Sequence, residues 1–400
     1  MQRRNLISVL PVLLGILLLT ACSPAQPTAA PTAAVTPTRP PTAAAPTSTP
    51  LIRPSSEPAT PEPTPAPYPM GPLEFPEGYN PLTGLPVDDP AVLQRRPLLI
   101  KVSNESNEVR PQSGLGFADH VWIYQMEGWA QTRFTAVIYS QTPPQVGSVR
   151  SVRLIDSEHL VDMYDGLLVI SGGSIGMNYV LSQKPWYNRV FFDQGDWLQR
   201  IPDVPRPYTA RYHTLFAIPE RVWAEADARG VNGPPDLQGL LFDQQPPEGG
   251  IPTIGVRVDY PKYGPAQRWA YDPASGSWLS FTEVQIEVRP VETPDVDYLT
   301  NEQLAFENVV ILYAEHSLAN FIEDEPNQLA AVDINLIGEG DAVLLRDGLR
   351  YEVRWQREKP GDMMRLVDAE GDPVAFKPGQ TWWMVAGIEP GIRPDVTFSE

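Results

Sequence analysis

Residues 110–153 read RPQSGLGFADHVWIYQMEGWAQTRFTAVIYSQTPPQVGSVRSVR. Two apolar runs within this stretch, residues 121–124 and 134–139, are rich in β-branched and aromatic side chains, which predicts two strands of the protein interior. Ionic residues stand at the ends of both runs. A buried charge costs several kcal/mol unless it is paired. We therefore expect these ionic residues to pair among themselves and to mark the functional site of the chain.

The candidate ligand-binding site consists of the polar residues around these two strands: Arg110, Glu127, Arg133, Arg150, Ser151 and Arg153. Arg150 and Arg153 are three residues apart, so they share one face of a helix but lie on opposite faces of a strand. On one helical face they would bind a carboxylate or a phosphate through paired hydrogen bonds. For Glu127 itself, the local charge count favours a structural role as the counter-ion of Arg133, Arg150 or Arg153 over ligand contact.

The pattern of the folded part of the chain changes near residue 245. Residues 71–245 alternate apolar runs with helical patterns, including a helix at 175–182 with Ser174 as its N-cap. Residues 246–400 carry apolar runs separated by turn residues, and Asp347-Gly348 predicts a hairpin turn. The sequence therefore predicts an α/β protein, with a layered α/β sandwich in the first half packed with a mainly antiparallel β second half.

Residues 1–22 have the features of a bacterial secretory signal. Two arginines precede an apolar run at 6–19, which is short for a membrane-spanning helix. Residues 19–22, Leu-Thr-Ala-Cys, resemble the lipobox, in which the signal is cut before a cysteine that is then lipidated. The alternative is a plain signal peptide in which Cys22 is incidental. We expect Cys22 to be acylated and to anchor the chain to the cell membrane on its extracytoplasmic side.

The composition of the chain defines its expected partners. Residues 23–70 are rich in proline, threonine and alanine, which predicts a disordered tether. Cys22 is the only cysteine, so the sequence excludes an intramolecular disulfide. The formal net charge of -19 argues against nucleic acid, because phosphate binding needs a basic surface. The expected partners are the lipid membrane, through Cys22, and an envelope glycan, an anionic ligand or an envelope protein.

The sequence gives little support to enzyme chemistry. The four histidines are scattered and form no zinc motif, so we expect neither a metal site nor a cofactor. No Gly-x-Ser-x-Gly nucleophile motif is present, and Cys22 belongs to the anchor. The alternative to a binding protein is a carboxylate-dependent glycan hydrolase that uses Glu127 with Asp156 or Asp165, because such enzymes need two acids about 5–10 Å apart.

Several short motifs together resemble the YerB-like family of bacterial lipoproteins: Asn80-Pro81-Leu82-Thr83-Gly84, Arg110-Pro111-Gln112-Ser113-Gly114-Leu115, Glu127-Gly128, Thr132-Arg133-Phe134, Val149-Arg150-Ser151-Val152-Arg153 and Gly379-Gln380-Thr381-Trp382. The resemblance implies an envelope lipoprotein with N- and C-terminal segments of unknown function, here 71–245 and 246–400, packed as one unit. It implies no reaction. Leu154-Ile155 departs from the family, in which an aromatic residue is expected. The favoured function is a membrane-anchored extracytoplasmic lipoprotein that acts as a binding or scaffold module of the cell envelope.

Overall fold

The structure is a computed structural model that describes residues 67–400, except 106, 130, 203, 205–212, 262–265 and 287–288. The predicted signal peptide, its Cys22 and nearly all of the predicted tether lie outside the described residues. Residues Thr64–Glu400 form one compact unit. None of the helices in the described part of the chain is long and apolar enough to cross a membrane.

Strands form most of the regular structure. In chain order they are β1 (Leu98–Asn104), β2 (His120–Gln125), β3 (Thr132–Ile138), β4 (Val146–Gly147), β5 (Leu167–Val169), β6 (Val190–Phe191), β7 (Leu198–Arg200), β8 (Leu215–Ala217), β9 (Ile251–Pro252), β10 (Gly255–Asp259), β11 (Gln267–Asp272), β12 (Ser277–Ile286), β13 (Arg289–Pro294), β14 (Ala305–Phe306), β15 (Asn308–Ala314), β16 (His316–Asp324), β17 (Leu329–Ile334), β18 (Gly338–Arg346), β19 (Leu349–Arg357), β20 (Arg365–Val367), β21 (Thr381–Gly387) and β22 (Asp395–Ser399).

The helices are short. They are α1 (Val161–Met163), which continues a π-helical turn at Asp156–Leu160, α2 (Ile175–Ser182) and α3 (Pro219–Ala228), with single 3-10 turns at Pro90–Gln94, Asn107–Val109, Leu115–Phe117, Glu127–Trp129 and Tyr187–Arg189. The Ser174 hydroxyl accepts a hydrogen bond from the Met177 amide and caps α2, as predicted. Because strands far outnumber helices over the described residues, the protein is mostly β, and the layered α/β arrangement of the first half stays a prediction.

One large sheet crosses the boundary between the two halves of the chain. Its strand order is β20-β19-β18-β15-β21-β2-β3-β1-β5-β6. The junction is the parallel pair β2 and β21, in which Val121 lies opposite Trp382. Every residue of β1, β2, β3 and β21 is buried, which explains why these strands read as nearly continuous apolar runs. The two halves therefore share a sheet and a core.

Both faces of this sheet are covered by aromatic packing. On one face, the ring of Trp122 stacks on that of Trp383, with centroids 5.0 Å apart. On the other face, Trp382 contacts Phe134, with centroids 5.1 Å apart, and Trp269 of a second, antiparallel sheet, also at 5.1 Å. Successive residues of a strand point to opposite faces, so the Trp382-Trp383 pair serves both cores.

Strands β16 and β17 form a separate two-stranded sheet, residues 316–334, which we call the hairpin arm. The arm comes from the second half of the chain but packs on the first half. The ring of Phe321 occupies the space that a side chain at Gly176 of α2 would need, and Leu329 lies 3.0 Å from the Cβ position of Gly128. Gly128 has φ 74°, a left-handed conformation that glycine adopts without strain. The arm thus lies beside the stretch that the sequence marks as the site.

Candidate functional site

An open cleft of about 960 Å³ lies between the hairpin arm and the first half of the chain, and we call it the arm cleft. It contains four of the six residues predicted as the ligand-binding site: Glu127, Arg133, Ser151 and Arg153. The other lining residues include three polar ones that the sequence did not predict for the site: Glu105, Ser174 and Glu323. Neither Arg110 nor Arg150 belongs to the lining that the structure describes.

The turn after β2 positions Glu127. The turn is closed by a hydrogen bond of 2.9 Å from the Met126 amide to the carbonyl of Gln131, and it buries Glu127 until only 7% of the residue is exposed. Arg153 Nε donates a hydrogen bond of 2.9 Å to Glu127 Oε2. Glu127 Oε1 lies 2.8 Å from the same nitrogen but accepts no hydrogen bond among the described residues. Glu127 therefore pairs with Arg153 and retains an unused acceptor.

Arg153 also reaches the hairpin arm. Its Nη1 lies 3.1 Å from Oε1 of Glu323, and Ser174 Oγ donates a hydrogen bond of 2.5 Å to Glu323 Oε2. Burial raises the pKa of Glu323, the negative charge of Glu127 raises it further, and Arg153 and Ser174 oppose the shift. Glu127, Arg153 and Glu323 form the Arg153 cluster, in which two nearly buried carboxylates share one guanidinium.

Two other arginines of the stretch, Arg133 and Arg150, converge on Glu105, which directly follows β1. Arg133 Nη2 lies 2.5 Å, and Arg150 Nη2 2.6 Å, from the same oxygen, Glu105 Oε1. Burial alone would raise the pKa of Glu105, but the charges of Arg133 and Arg150 outweigh it and lower the pKa. The expectation that the ionic residues pair among themselves therefore holds for Arg153 with Glu127, whereas Arg133 and Arg150 have a partner outside the predicted set.

Arg110 lies elsewhere, between the two halves of the chain. Its Nε lies 3.2 Å from Asp295 Oδ1, and its Nη2 donates a hydrogen bond of 2.7 Å to the side chain of Asn104. Asp295 belongs to the second half and also accepts hydrogen bonds from Ser280 and Thr282. These contacts tie the second sheet to the end of β1, next to Glu105, and Arg110 does not line the arm cleft.

Asp156 belongs to a second ionic group, the Lys101 cluster of Lys101, Tyr124, Thr135 and Asp156. Lys101 Nζ lies 3.1 Å from Asp156 Oδ2, and the hydroxyls of Tyr124 and Thr135 each donate a hydrogen bond of 2.6 Å to Oδ1. The Arg153 amide donates a fourth hydrogen bond, of 2.8 Å, to Oδ2. Lys101 and Asp156 are both 0% exposed, and burial lowers the pKa of Lys101 to about 7 against the opposing charge of Asp156.

The two acids considered as partners of Glu127 in a hydrolase do not share the arm cleft with it. Asp156 is enclosed in the Lys101 cluster, and Asp165 forms ion pairs with Arg96 and Arg189, the latter at 2.5 Å. Neither aspartate belongs to the described lining of the cleft. The acid that does face the cleft with Glu127 is Glu323. Among the described residues, no three His, Cys, Asp or Glu side chains are grouped as a metal site would require.

Two family models match the chain. The model described as "Protein of unknown function (DUF3048) N-terminal domain" matches residues 82–232, and the model described as "Protein of unknown function (DUF3048) C-terminal domain" matches residues 256–383. The first match contains Glu127, Arg133, Ser151 and Arg153, and the second contains Glu323. The Arg153 cluster therefore joins the two matched segments.

One relative is similar in both sequence and structure. The chain is 28% identical over 309 residues to "Putative lipoprotein YerB" of Bacillus subtilis (strain 168), a match that covers 76% of this chain and 84% of that protein. The crystal structure of the B. subtilis YerB protein matches with a TM-score of 0.61 and 26% sequence identity, covering 80% of this chain and 99% of that chain. The likeness thus extends over most of the folded body.

Proposed function

Because the chain belongs to the YerB-like family of bacterial lipoproteins, we propose that it is a membrane-anchored binding module on the extracytoplasmic side of the membrane and that the arm cleft is its ligand site. The anchor in this proposal is acylated Cys22, supported by the Leu-Thr-Ala-Cys signal and by the lipoprotein name of the B. subtilis relative. A single acyl chain gives only weak attachment, so stable anchoring requires more than one.

The observation that carries the proposal is the convergence of both halves on one open cleft. Glu127 and Arg153 come from the first half, and Glu323 comes from the hairpin arm of the second. Charged groups in a protein interior are usually paired with each other and inaccessible to water and ligands, as in the Lys101 cluster. Charged side chains that are nearly buried but face an open cavity are more typical of a binding site.

A scaffold role without a small ligand is the nearest competitor. It would need an exposed apolar surface. On α2, Ile175 and Tyr179 are 78% and 68% exposed. Both lie on one short helix, and a small exposed apolar surface of this kind is common on soluble proteins. The hydrolase alternative loses support because Asp156 and Asp165 lie against cations outside the cleft.

The test is a thermal-stability screen of the folded unit, Thr64–Glu400, against envelope glycans, muropeptides, small anions and small amines. A compound that binds the native state raises the melting temperature by an amount set by its concentration and affinity. Ser151→Trp would fill the cleft without changing its charge, and we expect it to abolish the shift. Ser317→Trp, at an exposed position of β16 outside the described cleft lining, is the matched control and should preserve it. A screen without any shift, or a shift that survives Ser151→Trp, would contradict the proposal.

A further inference from the structure

The lining of the arm cleft is acidic. Five acidic side chains line it against two arginines: Glu105, Glu127, Glu323, Asp324 and Glu325 against Arg133 and Arg153. An acidic surface raises the local concentration of cations and repels anions. This charge distribution is the reverse of what the arginine-rich sequence motif suggests, because three of the acids come from the hairpin arm.

Both arginines of the cleft are already paired with carboxylates. Arg133 lies 2.5 Å from Glu105, and Arg153 binds Glu127 and Glu323 at once. An anionic ligand would have to displace a carboxylate from an arginine and leave that carboxylate in a poorly hydrated position, which costs free energy. A cationic ligand needs no such displacement.

Glu127 offers a site for such a cation. The residue is more than nine-tenths buried, and its Oε1 accepts no hydrogen bond among the described residues although Oε2 is bonded to Arg153. That oxygen lies 2.8 Å from Arg153 Nε, so the ion pair compensates its charge, but no aligned donor fills its hydrogen-bonding capacity. Glu323 faces the same guanidinium from the opposite side of the cleft, so two negative charges share one positive charge. A second positive group would balance the cluster.

Apolar side chains also line the cleft beside these carboxylates. Met126, Ile175 and Leu329 contribute to the lining, and Leu329 packs over Gly128 next to Glu127. An aliphatic stem packs on such surfaces while its charged end remains hydrogen-bonded. The pattern of an apolar wall next to a carboxylate pair thus fits an alkylammonium group better than a bare inorganic cation.

We propose that the arm cleft binds a ligand with a primary ammonium group on an aliphatic stem, and that Glu127 and Glu323 accept its hydrogen bonds. The inference rests on the proposed function and specifies the ligand class of the same cleft. It replaces the anionic ligand expected from the sequence with a cationic one. The ammonium group donates up to three hydrogen bonds, enough to bind both carboxylates of the cluster.

Three small probes that differ at one end test the charge preference. They are Nα-acetyl-lysine amide, its Nε-acetylated form and Nα-acetyl-glutamate amide, titrated into the full-length protein in nonionic detergent at near-physiological salt. Binding is measured by isothermal titration calorimetry and by saturation-transfer NMR. We expect the lysine probe to bind, acetylation of its ε-amine to weaken binding about tenfold or more, and the glutamate probe to be weakest.

Two variants then locate the binding. Glu323→Gln should weaken binding of the lysine probe about tenfold or more, because it removes one of the two carboxylates. Glu339→Gln changes the net charge equally, but this exposed acid pairs with Arg354 outside the cleft and should leave binding within about twofold. Glu127→Gln provides a second cleft variant if the first is poorly folded, and circular dichroism checks the fold of each.

The outcomes separate the ligand class from the proposed function. Equal binding of the lysine probe and its acetylated form, or stronger binding of the glutamate probe, would overturn the ammonium proposal. If none of the three probes binds, the ammonium proposal also fails. The arm cleft would still be supported as the ligand site if another compound of the thermal screen gives a shift and Ser151→Trp abolishes that shift. If no compound of that screen gives a Ser151-dependent shift either, the proposed function fails with it.

Discussion

The Lys101 cluster and the Arg153 cluster are neighbours, yet they differ in what surrounds them. Both contain oppositely charged side chains with little exposure, and the Arg153 amide links them through its hydrogen bond to Asp156. In the Lys101 cluster the aspartate receives hydrogen bonds from two hydroxyls and an amide as well as the lysine, and no solvent reaches it. In the Arg153 cluster, Glu127 Oε1 has the guanidinium 2.8 Å away but no aligned hydrogen-bond donor, and the cluster borders an open cleft.

The difference shows that burial of charge is a poor criterion for function on its own. A buried ion pair with all its acceptors used has nothing left to offer a ligand, and its role is to hold β1, β2, β3 and the turn before α1 together. A nearly buried carboxylate with a free acceptor next to a cavity can still bind. We therefore expect substitutions in the Lys101 cluster to affect mainly the stability of the protein, and substitutions in the Arg153 cluster to affect ligand binding more strongly.

The largest loss of stability should come from Lys101→Met. The substitution keeps the volume but leaves the carboxylate of Asp156 fully buried without its cation, which we expect to cost about 3–5 kcal/mol of unfolding free energy. Urea denaturation followed by tryptophan fluorescence measures the change. Arg354→Met, which breaks the exposed ion pair with Glu339, is the matched control and should cost about 1 kcal/mol or less. Similar losses for the two variants would show that the Lys101 cluster is not a special structural element.

A smaller loss should follow Arg153→Met. Glu127 and Glu323 would lose their shared cation, but the cleft lets water approach them, so we expect about 2–3 kcal/mol at pH 7. Part of this loss should disappear at acidic pH, because the pKa of Glu323 is already raised by burial and rises further without Arg153, and protonated Glu323 needs no cation. Arg365→Met, in the exposed pair with Glu358, serves as control. A loss that is equal at both pH values would mean that Arg153 stabilises the fold through packing rather than through charge.

Much of the fold could be predicted from local sequence patterns. The apolar runs at 121–124 and 134–139 predicted β2 and β3 to within two residues, because strands buried on both faces are largely apolar. Asp347-Gly348 forms the turn between β18 and β19, with positive φ at both residues, as its composition predicted. These features depend on residues that are close together in the chain, so the sequence alone predicts them.

The candidate site could be predicted only in part. Four of its residues lie in the stretch 110–153, but Glu323 comes from β16, which the sequence did not reveal as a strand. In this strand Ala319, Phe321 and Glu323 face the protein while Leu318 and Ile322 are exposed, so polar and apolar residues do not alternate as a half-buried strand requires. The packing of β16 against α2 depends on the contact of Phe321 with Gly176. These residues are far apart in the chain, so no local sequence pattern predicts their contact.

The smallest and most discriminating effect concerns Glu323→Gln, which we expect to stabilise the protein at pH 7. A carboxyl group whose pKa is raised in the folded state binds its proton more tightly there than in the unfolded chain. Its contribution to stability is therefore complete below the unfolded pKa of 4.5 and is lost as the pH rises through the folded pKa. Glutamine resembles the protonated acid at every pH, so the variant avoids that loss.

The unfolding free energy of Glu323→Gln should accordingly exceed that of the wild type at pH 7, and the gap should close as the pH falls to 4.5. Paired urea titrations at the two pH values measure it, with Glu339→Gln as the exposed control. If Glu323 were a structural ion pair like Asp156, the variant would instead be less stable at pH 7. A variant that is more stable yet binds the lysine probe less well would show that the charge of Glu323 is retained for binding at the expense of stability. That property distinguishes the Arg153 cluster from the Lys101 cluster.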